Sequence, residues 1–99
     1  NLAEHAHQQG IALVEKLNQE LADHPAVGQV RNLGLLIGIT LSQDAPTLPA
    51  IALQNGLLIN VTAGNVIRLL PPLIITEADG AEIATRLKQS VHQWFNESK

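Results

Sequence analysis

Cysteine, methionine and tyrosine are absent from this 99-residue sequence, and its aromatic side chains are one tryptophan and one phenylalanine. Without cysteine there is no disulfide, no thiolate metal site and no thiol nucleophile. With only Trp94 and Phe95 to supply rings, any core has to be built from Leu, Ile, Val and Ala. Cationic charge is also scarce: six Lys and Arg stand against nine Asp and Glu, for a net charge of −3. The six are scattered, which excludes the basic footprint of a nucleic-acid binder. No run approaches the ~18 uninterrupted apolar residues of a membrane-spanning helix. No basic–apolar leader stands at the front. The missing methionine, with Asn1 in first place, predicts a piece of a longer polypeptide.

What is present is an apolar fraction of 45%, enough for one packed domain of this length. Ala3, Ala6, Gly10, Leu13, Val14, Leu17 and Leu21 recur at steps of three and four, which predicts an amphipathic helix ended by Pro25. The β-forming run from Val30 to Leu41 predicts one mostly buried strand, with Gly34 and Gly38 marking a bulge or a close backbone approach. Thr47 to Asn55 reads as a short helix closed by Gly56. Leu57–Thr62 and Val66–Leu70 read as strands joined through Ala63-Gly64-Asn65, and Pro71-Pro72 stops the ladder. Thr76 and Asp79 resemble a capping box before a last helix whose Ile83, Ala84, Leu87, Val91, Trp94 and Phe95 share a face. The order α-β-α-β-β-α predicts an α+β fold over residues 1–99, a single domain: a small antiparallel sheet of about three strands with helices packed on one face.

Few residues can carry chemistry. Arg68 interrupts the apolar run Val66-Ile67-Arg68-Leu69-Leu70. A guanidinium keeps its proton, so burying it unpaired is costly. Either an acidic group meets it, or the alternation of its neighbours places it on a solvated face. Asn60, Thr62 and Asn65 lie near it in sequence, where such residues commonly stabilise turns. His5 and His7 are two apart on a helix and cannot share a metal; the histidines, including His24 and His92, read as solvated. Gly34-Leu-Leu-Ile-Gly38 lacks the lysine, hydroxyl and third glycine of nucleotide-binding loops. Lys16 and Lys88 fall on amphipathic helices, away from the enclosed setting of a Schiff-base lysine. No complete catalytic set, and hence no catalytic residue, is present.

The run Gly56-Leu-Leu-Ile-Asn-Val-Thr-Ala-Gly-Asn-Val-Ile-Arg-Leu-Leu-Pro-Pro-Leu-Ile-Ile-Thr76 closely resembles the C-terminal signature of class III aminotransferases, most of all their acetylornithine branch. Val30-Arg-Asn-Leu-Gly-Leu-Leu-Ile-Gly-Ile39 resembles the preceding family strand, with Asn32 in place of a glycine. The resemblance implies the C-terminal small domain of a cytoplasmic, dimeric enzyme. That enzyme uses pyridoxal 5'-phosphate (PLP) to move an amino group between N-acetylornithine and 2-oxoglutarate. It implies that the PLP lysine sits in a large domain outside this chain, so that the chain alone binds no cofactor and is inactive. For Arg68 it implies a grip on the substrate α-carboxylate, with Asn60 and Thr62 in support. Ornithine, succinylornithine and succinyldiaminopimelate enzymes share these features. A carboxylate-binding module without catalysis and a purely oligomerising domain are the readings outside enzymology. A domain separated from its large partner is further expected to expose apolar surface and self-associate.

Overall fold

A computed structural model describes residues 2–33, 36–69 and 77–97. Helix α1 (Leu2–Leu21) leads into the strands β1 (Val27–Leu33) and β2 (Leu36–Leu41). Helix α2 (Leu48–Gln54), strands β3 (Asn60–Thr62) and β4 (Val66–Leu69), and helix α3 (Glu77–Glu97) follow. The sheet is antiparallel with the order β1-β2-β4-β3.

The α+β class and the helices on one face are as expected, but the sheet has four strands, not three. The residues read as one strand from Val30 to Leu41 belong to two, with Leu33 pairing Leu36 across Gly34-Leu35. The reversal falls between two leucines, Leu33 and Leu36, so hydrophobicity alone does not mark it. The bulge lies earlier, where the register shifts between Val27 and Val30, and not at Gly38. Strand β3 begins at Asn60, three residues later than the pattern from Leu57 indicates. Thr76 and Pro71-Pro72 lie outside the described residues.

The core forms where the sheet meets the helices. Leu13, Leu17 and Leu21 of α1 and Ala84, Leu87, Val91 and Trp94 of α3 are buried against Ile37, Ile39, Leu41, Ile67 and Leu69. The cross-strand row Val30-Ile39-Ile67-Val61 lies on this inner face. Because side chains alternate along a strand, the next row, Arg31-Gly38-Arg68-Asn60, faces away from the helices.

Two turns hold β3 and β4 in place. At the end of α2, Gly56 takes a φ of +78°. The Gly56 N–H donates to the Leu53 carbonyl at 3.0 Å and the Leu57 N–H to Ala52 at 2.9 Å, the paired bonds of a Schellman ending. The β3–β4 turn places both Ala63 (φ 53°) and Gly64 (φ 82°) in the left-handed region. Its carbonyls reach back across the chain: Gly64 accepts from Ala45 N–H at 2.7 Å, and Asn65 from Leu41 N–H at 2.8 Å.

Candidate functional site

Arg68 is exposed, in the middle of β4 between the buried Ile67 and Leu69. The strand period of two explains how one charged side chain sits inside an apolar run without being buried. Its cross-strand neighbours are Gly38 on β2 and Asn60 on β3. Thr62 and Val66 pair one step further along the same face, with Thr40 beyond Val66. Arg68, Asn60 and Thr62 therefore share one surface.

Asn65 does not join them. Its side-chain amide donates to the Leu41 carbonyl at 3.1 Å, tying the hairpin turn to β2, which is the turn-stabilising role. Asn60 accepts a local bond at Oδ1 from the Val61 N–H at 3.1 Å. Among the described residues neither the guanidinium of Arg68 nor that of Arg31, the other arginine of the outer row, has a hydrogen bond or an ion pair. The face thus presents two guanidiniums, two threonine hydroxyls and an asparagine, without a carboxylate in the rows that pair across it.

The histidines divide. His7 and His92 are exposed, while His24 is only 7% exposed, against the expectation of a solvated ring. Its Nδ1 accepts from the Ala26 N–H at 3.1 Å, and its ring packs edge-on to His92 (centroids 4.6 Å apart) and Phe95 (5.0 Å). Burial, and then the proximity of His92, lower its pKa from the usual 6.5. The contact links the end of α1 to α3 and lies on the helical side, away from Arg68. No group of three or more His, Cys, Asp or Glu among the described residues could hold a metal. No described helix is long and apolar enough to cross a membrane.

A PLP site does not fit these residues. Lys16 and Lys88 are half-exposed on helices, and Lys88 pairs with Glu20 at 3.3 Å. Neither is enclosed as an imine-forming lysine has to be. The outer sheet face is suited instead to holding an anion: a planar guanidinium donates two parallel bonds to a carboxylate.

Comparison with known proteins gives this arrangement a family. The model described as aminotransferase class-III matches residues 1–91. Acetylornithine aminotransferase 1 of Bordetella pertussis is 41% identical over 90 residues, covering 91% of this chain and 23% of its own length. Acetylornithine aminotransferase of Bacillus subtilis is 44% identical over 88 residues, covering 87% and 22% respectively. In three dimensions the chain is similar to the ornithine aminotransferase of Toxoplasma gondii, described with partial occupancy of PLP at its active site. There the TM-score is 0.82 at 29% identity, over 97% of this chain and 24% of that one. The chain spans about a quarter of the length of these relatives.

Proposed function

Because this chain belongs to the class-III aminotransferases, we propose that it is the C-terminal small domain of an acetylornithine-type enzyme, whose Arg68 holds the α-carboxylate of the substrate. The whole enzyme transfers an amino group between N-acetylornithine and 2-oxoglutarate. The family's cofactor, PLP, is held by residues outside this chain, and the whole enzyme is a homodimer working in the cytoplasm. The observation that carries the reading is the state of Arg68: a permanent cation exposed at mid-strand, with no partner among the described residues.

The contribution of the domain is positioning. Two parallel N–H···O bonds fix both the location and the plane of a carboxylate, and hence the direction of the bonds on the adjacent carbon. Asn60, directly across the strand pair, and Thr62 line the same surface. Proton transfer belongs to groups that this chain does not contain.

The test is steady-state kinetics of the full-length enzyme carrying Arg68→Ala and Arg68→Lys. Charge-assisted hydrogen bonds contribute about 1.5–3 kcal/mol each, so losing the two-bond fork lowers kcat/KM by roughly two to four orders of magnitude. Lysine keeps the charge but not the fork, and recovers only part of the loss. A kcat/KM within twofold of wild type for Arg68→Ala would remove the assignment. The Toxoplasma likeness favours an ornithine-type substrate as the second reading. Comparing N-acetylornithine, succinylornithine, succinyldiaminopimelate and ornithine as amino donors separates the two. Residues 1–99 mixed with PLP should give no imine absorbance and no borohydride-trapped adduct; either one would contradict an off-chain cofactor lysine.

A further inference from the structure

Asn55 is followed by glycine, whereas the other asparagines of the sequence are followed by Leu, Gln, Val or Glu. The difference is chemical. Glycine has no side chain to shield its amide nitrogen, and its backbone turns freely, so that nitrogen can approach the side-chain carbonyl of the residue before it. An asparagine in this setting loses its amide far more readily than one followed by a bulky residue. Asn55 stands half-buried at the end of α2, and Gly56 beside it is exposed, so water reaches the pair.

The fold opposes this reaction from three sides. Asn55 Nδ2 donates to Ser90 Oγ on α3 at 3.0 Å, with Gln93 Oε1 at 3.5 Å, which fixes the side chain. The Gly56 N–H is engaged by the Leu53 carbonyl at 3.0 Å, and the Gly56 carbonyl accepts from Arg86 Nη1 at 3.0 Å. The backbone is also turned the wrong way. Closing a five-membered ring requires the Gly56 nitrogen to eclipse Cβ of Asn55 about the Cα–C bond. With ψ at 11° it nearly eclipses the amide nitrogen of Asn55 instead.

We infer that Asn55-Gly56 is a deamidation site that the α2–α3 joint keeps closed, and that it reacts when α2 comes away from α3. In the opened state hydroxide takes the Gly56 N–H proton, and the nitrogen attacks Asn55 Cγ. The new N–C bond forms as the Cγ–Nδ2 bond breaks, and the departing nitrogen takes a proton from water and leaves as ammonia. Water then opens the succinimide ring at either carbonyl, giving aspartate or isoaspartate; nothing is oxidised or reduced. Neither product lets the joint close as before. The carboxylate cannot donate to Ser90 Oγ, whose own proton is given to the Arg86 carbonyl at 2.7 Å, so acceptor would face acceptor. Isoaspartate also adds a methylene to the main chain where the Gly56 and Leu57 N–H groups make the paired bonds of the helix ending. A helix of seven residues cannot hold itself once that ending is lost.

The full-length enzyme, folded and in parallel unfolded in guanidinium, is incubated at mildly alkaline pH while peptide mass mapping follows conversion at residue 55. In the unfolded chain Asn55 is expected to convert ahead of Asn60 and Asn65, which both precede valine. In the folded enzyme its conversion is expected to be at least about tenfold slower than in the unfolded one. Ser90→Ala removes the acceptor of the Asn55 amide and should speed conversion in the folded enzyme about two- to tenfold, the factor of one hydrogen bond. Arg86→Ala, at a largely exposed position, frees the Gly56 carbonyl and should act in the same direction even if Ser90→Ala fails to fold. In Asn55→Asp, amide hydrogen exchange at Gly56 and Leu57 should quicken by a similar factor. Conversion at residue 55 as fast in the folded enzyme as in the unfolded one overturns the inference. So does an unfolded chain in which Asn55 reacts no faster than Asn60, or a folded rate that neither substitution raises. Unchanged exchange in Asn55→Asp would show that the product fits the closed joint, and would overturn the one-way opening. None of these readouts needs turnover, so they stand or fall apart from the Arg68 kinetics.

Discussion

His24 holds a proton-sensitive contact that its sequence position conceals. The Nδ1 atom accepts the Ala26 N–H, so it is the unprotonated nitrogen, and burial with His92 beside it disfavours the charged ring. The unfolded chain therefore takes up the proton first as the pH falls. The stability contributed by neutral His24 is complete above the unfolded pKa of 6.5, and is lost as the pH drops from there through the lower folded-state value. Thermal unfolding of residues 1–99 is expected to show a melting temperature that declines from pH 7 to pH 5. His24→Asn, whose side-chain oxygen can reach the same N–H, should flatten that decline; an unchanged slope would place the titrating group elsewhere. At the same scale, Ala63 holds a left-handed φ of 53°, which costs an L-residue roughly 1–2 kcal/mol. Ala63→Asn, with its better tolerance of that region, should raise stability by about 0.5–1 kcal/mol in a urea titration.

The joint between α2 and α3 is held by polar side chains. Asn55 donates to Ser90 Oγ at 3.0 Å, and the buried Ser90 hydroxyl donates to the Arg86 carbonyl at 2.7 Å. Arg86 reaches back to the Gly56 carbonyl at 3.0 Å and pairs with Glu82. These bonds secure the end of a seven-residue helix too short to persist alone. Asn55→Ala is expected to cost about 1 kcal/mol in chemical unfolding, the usual net value of one such bond. The Arg86–Glu82 pair is largely exposed, and its loss alone should change little. By contrast, Leu17 is fully buried between the sheet and α3, and Leu17→Ala should cost about 2–5 kcal/mol.

For the whole molecule, the one-sided arrangement decides what can happen where. Helices shield the inner face of the sheet, and the outer face keeps its arginines in solvent within this chain. The large apolar residues exposed among those described are Ile11, Leu53 and Leu58, the last at 82%. Leu53 and Leu58 flank the Gly56 turn, and we propose this spot as the seat of self-association when the domain is produced alone. Sedimentation of residues 1–99 should show reversible association that Leu58→Ser weakens; a monomer at every concentration would count against it.

Legible along the chain were the class of fold, the three helices with the buried stripes of the first and the last, the Gly56 and Gly64 turns and the kinship that points to Arg68. Each of these rests on local chemistry: a period of 3.6, a left-handed dihedral, a residue order. Three features emerge only when the chain is folded. Folding divided the run from Val30 to Leu41 into a hairpin, because the reversal falls between Leu33 and Leu36 with no change of hydrophobicity to mark it. It buried His24 between α1 and α3, where the ring's neighbours come from a helix almost seventy residues further along the chain. It set Arg31, Gly38 and Arg68 in one row, because cross-strand register is a property of pairing that no single stretch of sequence encodes.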